Sequence, residues 1–154
     1  AQALQKNAKS SEANANMALL SLVEGNTEAA EQALGKAAEA KNYKEVLGNL
    51  NIAKGNYAQA AQDLAGVKSN SAALAQILNK DYAAAAQTLA TIAAPDATTS
   101  YLKAILSART NQNTQALANL KDAFAKDASL KARAAKDLDF AKLFGDATFQ
   151  SLIK

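Results

Sequence analysis

Apolar side chains recur at helical spacing along most of the chain. Met17, Leu20 and Val23 stand three apart, and Leu47, Leu50 and Ile52 follow a similar pattern. So do Leu74, Ile77 and Leu78, then Leu102, Ile105 and Leu106. Residues three and four apart share one face of an α-helix, so each group predicts an amphipathic helix with a buried stripe. Between these groups run Ala-rich segments in which Ala30 and Leu34, Ala60 and Leu64, Ala85 and Leu89, and Ala116 and Leu120 stand four apart. The pattern predicts helices near 10–24, 27–40, 42–54, 57–66, 70–79, 82–93, 97–110 and 113–126. Pro95 falls between two of them, where a break is tolerated.

The Ala/Leu pairs belong to four windows that align without gaps. They start at Gly25, Gly55, Lys80 and Asn111, at spacings of 30, 25 and 31 residues, with Ala at the sixth place and Leu at the tenth. A fixed self-similarity of this length marks a repeat architecture. Gly25 and Gly55 suit the left-handed residue that ends a helix, and Asn111 tolerates it better than most. At the third window Asn79 is expected in that part, because Lys80 is a poor choice. Asn26, Asn56 and Asp81 follow as caps for the next helix. Each window therefore reads as the joint of a helix–turn–helix, with a small residue that lets two helices approach and a Leu that fills the gap beside it.

Composition supports an all-α chain. Hydrophobic residues make up 49% of it, much of this Ala, with one Pro and six Gly. Ala is the best helix former, and β-branched and aromatic residues are scarce. There is no Cys, His or Trp. That removes disulfides, thiolate metal sites, Cys nucleophiles and the usual base of neutral-pH catalysis. The net charge of +3 is interspersed. The densest basic stretch, Lys121, Lys126, Lys131, Arg133 and Lys136, is broken by Asp122, Asp127 and Asp137. It reads as a solvated helical face rather than a nucleic-acid patch, which would be rich in Arg and aromatics. No apolar run approaches the ~20 residues of a membrane span.

The carboxylates form no recognisable catalytic or metal constellation. Asp137 and Asp139 stand two apart, so on a helix they diverge; Asp137 reads as a cap and Asp139 as surface charge. Asp122 and Asp127 lack a third ligand nearby, and Ca²⁺ loops and Gly-rich phosphate loops are absent. The expectation is therefore no enzyme activity, no cofactor and no metal.

The windows resemble the second-helix signature of the tetratricopeptide repeat, Gly-Asp/Asn-Tyr-x-x-Ala-x-x-x-Leu/Phe. Gly55, Asn56, Tyr57, Ala60 and Leu64 match it fully; Asp81, Tyr82, Ala85 and Leu89 match all but the Gly. Gly25, Asn26, Ala30 and Leu34 lack the Tyr, and Asn111, Ala116 and Leu120 match least. The family's small first-helix position falls on Ala18, Gly48, Ala73 and Ala104. Its later small position falls on Ala37 and Ala123, but on Val67 and Ile92 in the middle repeats. The likeness covers about residues 11–126. Every spacing is shorter than the family's period of ~34. The third unit must shorten its helices or use a loop around Gly66–Ser69. The resemblance implies an α-α superhelix, a right-handed solenoid of helix–turn–helix repeats, with Tyr57 and Tyr82 packed beside the turns.

The ends complete the expected plan of a single domain, 1–154. Gln2–Ala8 echoes Gln32–Ala38 and reads as the end of a preceding repeat, 1–9, that continues upstream of Ala1. The repeats occupy 10–40, 41–67, 68–94 and 95–126. Residues 127–154 carry two short segments, Asp137–Phe144 and Asp146–Ile153, each opened by an Asp cap. They are similar to the terminal cap of many bacterial tetratricopeptide proteins, and a stack needs its last apolar face covered.

The resemblance implies a binding scaffold for a protein or peptide, held on the concave side lined by first helices. The inward positions carry Glu45, Asn49, Asn70, Tyr101, Ile105 and Arg109, with Tyr101 open between groove lining and core. The family's carboxylate-clamp positions fall on Ala15 and Leu19, Glu45 and Asn49, Asn70 and Leu74, and Tyr101 and Ile105. Only Asn49 fits, so this chain is not expected to clamp a peptide's C-terminal carboxylate. Two other roles are an accessory domain of a larger enzyme or envelope assembly protein, and a homo-oligomer formed through the open N-terminal face. The Cys-free, Lys-rich surface resembles exported bacterial repeat proteins, which implies the periplasm or cell envelope, with the cytoplasm as the alternative.

Overall fold

The computed structural model describes the backbone of residues 2–154 and the side chains from residue 6 onward. All its regular elements are helical. They are α1 (Gln2–Val23), α2 (Thr27–Leu34), α3 (Tyr43–Ala53), α4 (Tyr57–Asp63), α5 (Asn70–Leu78), α6 (Tyr82–Thr91), α7 (Ala97–Arg109) and α8 (Asn113–Lys126). The C-terminal segment adds α9 (Leu130–Ala134), a 3-10 helix (Leu138–Leu143) and α10 (Ala147–Leu152). Each of α1, α3, α5 and α7 packs principally on the helix that follows it.

The joints inside these pairs share one geometry. Gly25, Gly55, Lys80 and Asn111 all have positive φ, at 76°, 79°, 65° and 60°. In each joint the next residue's amide donates back five residues: Asn26 to Ser21, Asn56 to Asn51, Asp81 to Gln76 and Gln112 to Ser107, all at 2.8 Å. This is the Schellman closure, which satisfies carbonyls that the helix end would leave unpaired. The third joint corrects the sequence reading, because Lys80 takes the left-handed conformation and Asn79 stays at φ −79°. The bonds fix the left-handed residue by its place in the turn, whatever its propensity. Asn26 caps α2 through Ala29 N at 3.0 Å. Asn56 and Asp81 hold cap positions without a side-chain cap bond; the Asp81 carboxylate instead accepts from Asn79 Nδ2 at 2.7 Å.

The boundaries depart from expectation most at two places, and α4 also stops three residues short of its expected end. Residues 2–9 run unbroken into α1, with no joint separating a preceding half-repeat; Ala1 and the side chains of residues 2–5 lie outside the described residues. Helix α2 ends at Leu34, because Gly35 and Lys36 form a turn where a helix interior would disfavour Gly. Ala37 and Ala40 are still buried, carried inward by turns that close on Leu34 O and Ala37 O at 2.9 Å.

The chain divides into two compact units, 1–67 and 68–154, at the loop after α4 that shortens the third repeat. In the first unit Ala15, Ala18, Ala30, Leu34, Val46 and Leu50 form the core. The expected stripe on α1 points the other way: Met17, Leu20 and Val23 are 61%, 59% and 86% exposed. Ala15 and Ala18 occupy the packed face, with Leu19 and Leu22 partly buried beside them. Helix α1 is apolar on two faces, and the smaller residues take the close contact. Tyr57, expected beside its turn, is 37% exposed, while Tyr82 is half-buried.

In the second unit the core runs through Ala73, Ile77, Ala85, Leu89, Ala104, Ala116 and Leu120 into the C-terminal segment, where Phe140, Leu143 and Phe149 are buried. Asp137 and Asp146 open the last two helices as expected. Asp146 Oδ1 accepts from Thr148 N at 2.8 Å and Phe149 N at 3.0 Å.

Candidate functional site

The six inward positions expected to hold a partner have different fates. Glu45 and Asn49 lie one turn apart on α3 of the first unit, each half-buried.

Asn70, at the start of α5, is committed within the second unit. Its Nδ2 donates to Asp96 Oδ1 at 3.1 Å, and its Oδ1 accepts from Thr99 Oγ1 at 2.9 Å. Asp96 and Thr99 form the capping box of α7: Thr99 N donates to Asp96 Oδ1 at 2.9 Å, and Asp96 N donates to Thr99 Oγ1 at 3.0 Å. The Thr99 amide is the main cause holding the Asp96 carboxyl below its ordinary range, with smaller help from Asn70. Asn70 therefore ties α5 to the first turn of α7.

Tyr101, Ile105 and Arg109 stand four apart on α7, on one face. The C-terminal segment covers that face. Tyr101 is 2% and Ile105 4% exposed, so neither lines an accessible groove; this corrects the expectation for Ile105 and places Tyr101, open between groove lining and core, in the core. The Tyr101 hydroxyl donates to Asp137 Oδ2 at 2.8 Å, and its ring meets Phe140 edge-on at 5.5 Å. The Arg133 guanidinium lies 5.1 Å from the ring centroid. Burial, then the Asp137 hydrogen bond, pushes the phenol pKa well up. Arg109 spans to Asp139 with Nε–Oδ1 at 2.7 Å and Nη2–Oδ2 at 3.3 Å, while Nη1 donates to Ile77 O at 3.3 Å. Arg109 is thus an internal tie as well, and Asp139 is its partner rather than a free surface charge.

These ties are what the sequence reading missed. A signal was present: Arg109 and Arg133 are the only two Arg in the chain, and Asp137-Leu-Asp-Phe140 offers two carboxylates and a ring. Those groups match a Tyr and an Arg two turns apart on a facing helix. Arg supplies the forked donor geometry suited to a carboxylate.

One further polar cluster joins α7 to α8. Ser100 Oγ is hydrogen-bonded to Asp122 Oδ2, and Lys126 Nζ reaches Ser100 Oγ at 3.1 Å and Asp122 Oδ2 at 2.8 Å. A cleft of about 570 Å³ opens beside it, lined by Pro95–Thr98, Lys126 and Asp127. A serine beside a lysine invites comparison with a nucleophile and its base. Here the ammonium is ion-paired with Asp122, and Lys126 is the main cause holding that carboxyl below its ordinary value. The bonds among Ser100, Asp122 and Lys126 link α7 to α8. The arrangement works as a strut between helices. Among the described residues no three carboxylates gather as a metal site would require.

No family model, curated protein or solved structure matches this chain.

Proposed function

We propose that the chain is a non-enzymatic scaffold of the tetratricopeptide type, its helix pairs stacked in a right-handed superhelix, that holds a peptide or protein partner. The observation that supports this reading best is the repeat of four joints. Each has a left-handed residue, a fully buried Ala at the sixth window place and a buried Leu at the tenth. Repetition of one small pair builds an extended surface rather than an enclosed pocket. On that surface the binding residues are Glu45 and Asn49 of α3. A carboxylate and an amide one turn apart can accept from, and donate to, an extended backbone. Asn70, Tyr101, Ile105 and Arg109 drop out of the binding set, because their groups are buried or bonded within the chain.

The test is affinity capture from the source cell with the parent chain and with Glu45→Ala/Asn49→Ala. The double variant should keep the parent's helicity and melting temperature yet lose the partner. An unchanged capture pattern, or a partner lost only on changing the exposed residues of α2 and α4, would reject the α3 face.

A further inference from the structure

Helix α1 and the first residue after it, Glu24, carry an exposed seam that none of the unit's other helices covers. Lys6, Ser10, Ala13, Met17, Leu20 and Glu24 are all exposed. Their spacings alternate between four and three, the spacing that keeps a row of side chains on one side of a helix. At 1.5 Å per residue the row runs along about 27 Å of helix. Its apolar middle, Ala13, Met17 and Leu20, is flanked by a cation at one end and an anion at the other.

The repeat indicates that this face is built for packing. Counted back from the joint, Met17 and Leu20 of α1 correspond to Leu47 and Leu50 of α3. Leu50 is buried and Leu47 partly buried against the core made by α1 and α2. In the second unit Leu106 of α7 stands at the place of Leu20 and is likewise packed on its core. The α1 face therefore has the residue types that α3 uses against a neighbour at both places and α7 at one, whereas α5 has Ala72 and Ala75 there and α7 has Lys103 at the place of Met17.

The order of residues along the seam selects the neighbour. Reversed end for end about position 15, the row maps onto itself: 6 falls opposite 24, 10 opposite 20, and 13 opposite 17. An antiparallel copy of α1 would then set Lys6 against Glu24 twice, Met17 against Ala13 twice, and Leu20 against Ser10 twice. A large apolar residue meets a small one at each inner level, Ala13 or Ser10, and opposite charges meet at both ends. A parallel copy would put Lys6 against Lys6 and Glu24 against Glu24. We propose that two copies of this chain associate through α1, antiparallel about a two-fold axis beside position 15. A two-fold interface is self-complementary by construction, and this row is. The inference goes beyond the scaffold reading and does not depend on it.

The chain contains no Cys, so introduced thiols report pairing without interference. Sedimentation equilibrium of the parent across a wide concentration range should approach twice the monomer mass of 16.0 kDa. Leu20→Glu should leave a monomer with parental helicity, since Leu20 is exposed in the single chain. Glu24→Lys should weaken the dimer about tenfold or more, and adding Lys6→Glu should restore it. An oxidised mixture of Ala13→Cys and Met17→Cys chains should give the mixed disulfide in excess over either symmetric one. Parent chain that stays monomeric at all concentrations would overturn the proposal. So would a dimer unaffected by Leu20→Glu, or thiols that cross-link like to like as a parallel pair requires.

Discussion

Gly48 of α3 sits directly under the side chain of Leu64, so closely that a Cβ at position 48 would collide with the Leu64 branch. The other three small first-helix positions, Ala18, Ala73 and Ala104, are fully buried, each in a pair with its own buried Leu. The second pair is the one in which the small residue has shrunk to Gly and the Leu has moved into the space. Gly costs helix stability in a helix interior, so its presence at 48 marks a site where room matters more than propensity.

Gly48→Ala should therefore destabilise, by about 1–3 kcal/mol, despite improving helix propensity. Leu64→Ala should cost about 2–5 kcal/mol as a buried large-to-small change. Combining them should cost less than the sum, because the methyl at 48 refills space that Leu64 vacates. Gln62→Ala, exposed on α4 two residues before Leu64, should shift stability by less than about 0.5 kcal/mol. Thermal denaturation of the four variants checks this. Additive losses at 48 and 64, or equal shifts for Leu64→Ala and Gln62→Ala, would contradict the packing.

Lys80 holds a left-handed backbone, at φ 65°, that its side chain does nothing to favour. A left-handed non-Gly residue costs about 1–2 kcal/mol, and Gly returns part of that gain through its extra unfolded-state freedom. Lys80→Gly should therefore stabilise by up to about 1 kcal/mol. Asn111→Gly should gain less, because Asn visits this region more readily. Gly55→Ala should destabilise. A melting temperature that falls on Lys80→Gly would show that Lys80 supports the turn by some other contact.

The repeat register was legible because joints and small residues are local features. Helices α3 and α5 to α8 begin and end within two residues of their expected places, and every window Ala and Leu is buried. The face of α1 was not legible, since Leu19 and Leu22 compete with Met17 and Leu20 in the same pattern and only a neighbour decides between them. The inward positions of α7 failed for a related reason. Spacing assigned Tyr101, Ile105 and Arg109 to one face correctly, but what covers that face lies some 30 residues on, in a segment with no repeat to align. Helix α9, five residues long, left no periodicity to detect.

The C-terminal segment should be locked to α7 by Arg109–Asp139 and Tyr101–Asp137 together. Both partners of the ion pair are about a quarter exposed, so solvent screens it only in part. Hydrogen bonds to charged groups contribute about 1.5–3 kcal/mol when partly buried, and losing one partner strands the other. Arg109→Ala and Asp139→Ala should each destabilise, and the double variant should fall short of their sum. Tyr101→Phe should destabilise while keeping the ring against Phe140. Limited proteolysis should then release fragments cut near residues 127–137 sooner than in the parent chain. Strictly additive losses for 109 and 139 would mean the pair contributes nothing beyond its separate side chains.

Acid stability follows from the lowered carboxyls. Asp96 is held down first by the Thr99 amide, and Asp122 first by Lys126. A carboxyl whose folded pKa lies below its unfolded value binds its proton more weakly when folded, so protonation favours unfolding. The stabilisation is fully present above the ordinary carboxylate value of 3.8. It is lost as pH falls through the lower folded values. Denaturant titrations should give a flat stability near neutrality and a decline below about pH 4. Asp96→Asn isolates one contribution, because Asn also caps helices well and keeps the acceptor for Thr99. That variant should lose some stability at pH 7 and show a smaller drop between pH 7 and pH 3 than the parent. The opposite sign applies to Tyr101, whose raised phenol contributes stability that is present below its ordinary value of 10.0 and lost as pH rises toward the folded one. Tyr101→Phe should therefore flatten the alkaline limb and leave the acid limb unchanged, whereas Asp96→Asn should do the reverse. Variants that altered both limbs equally would show that the acid and alkaline transitions report global charge rather than these two sites.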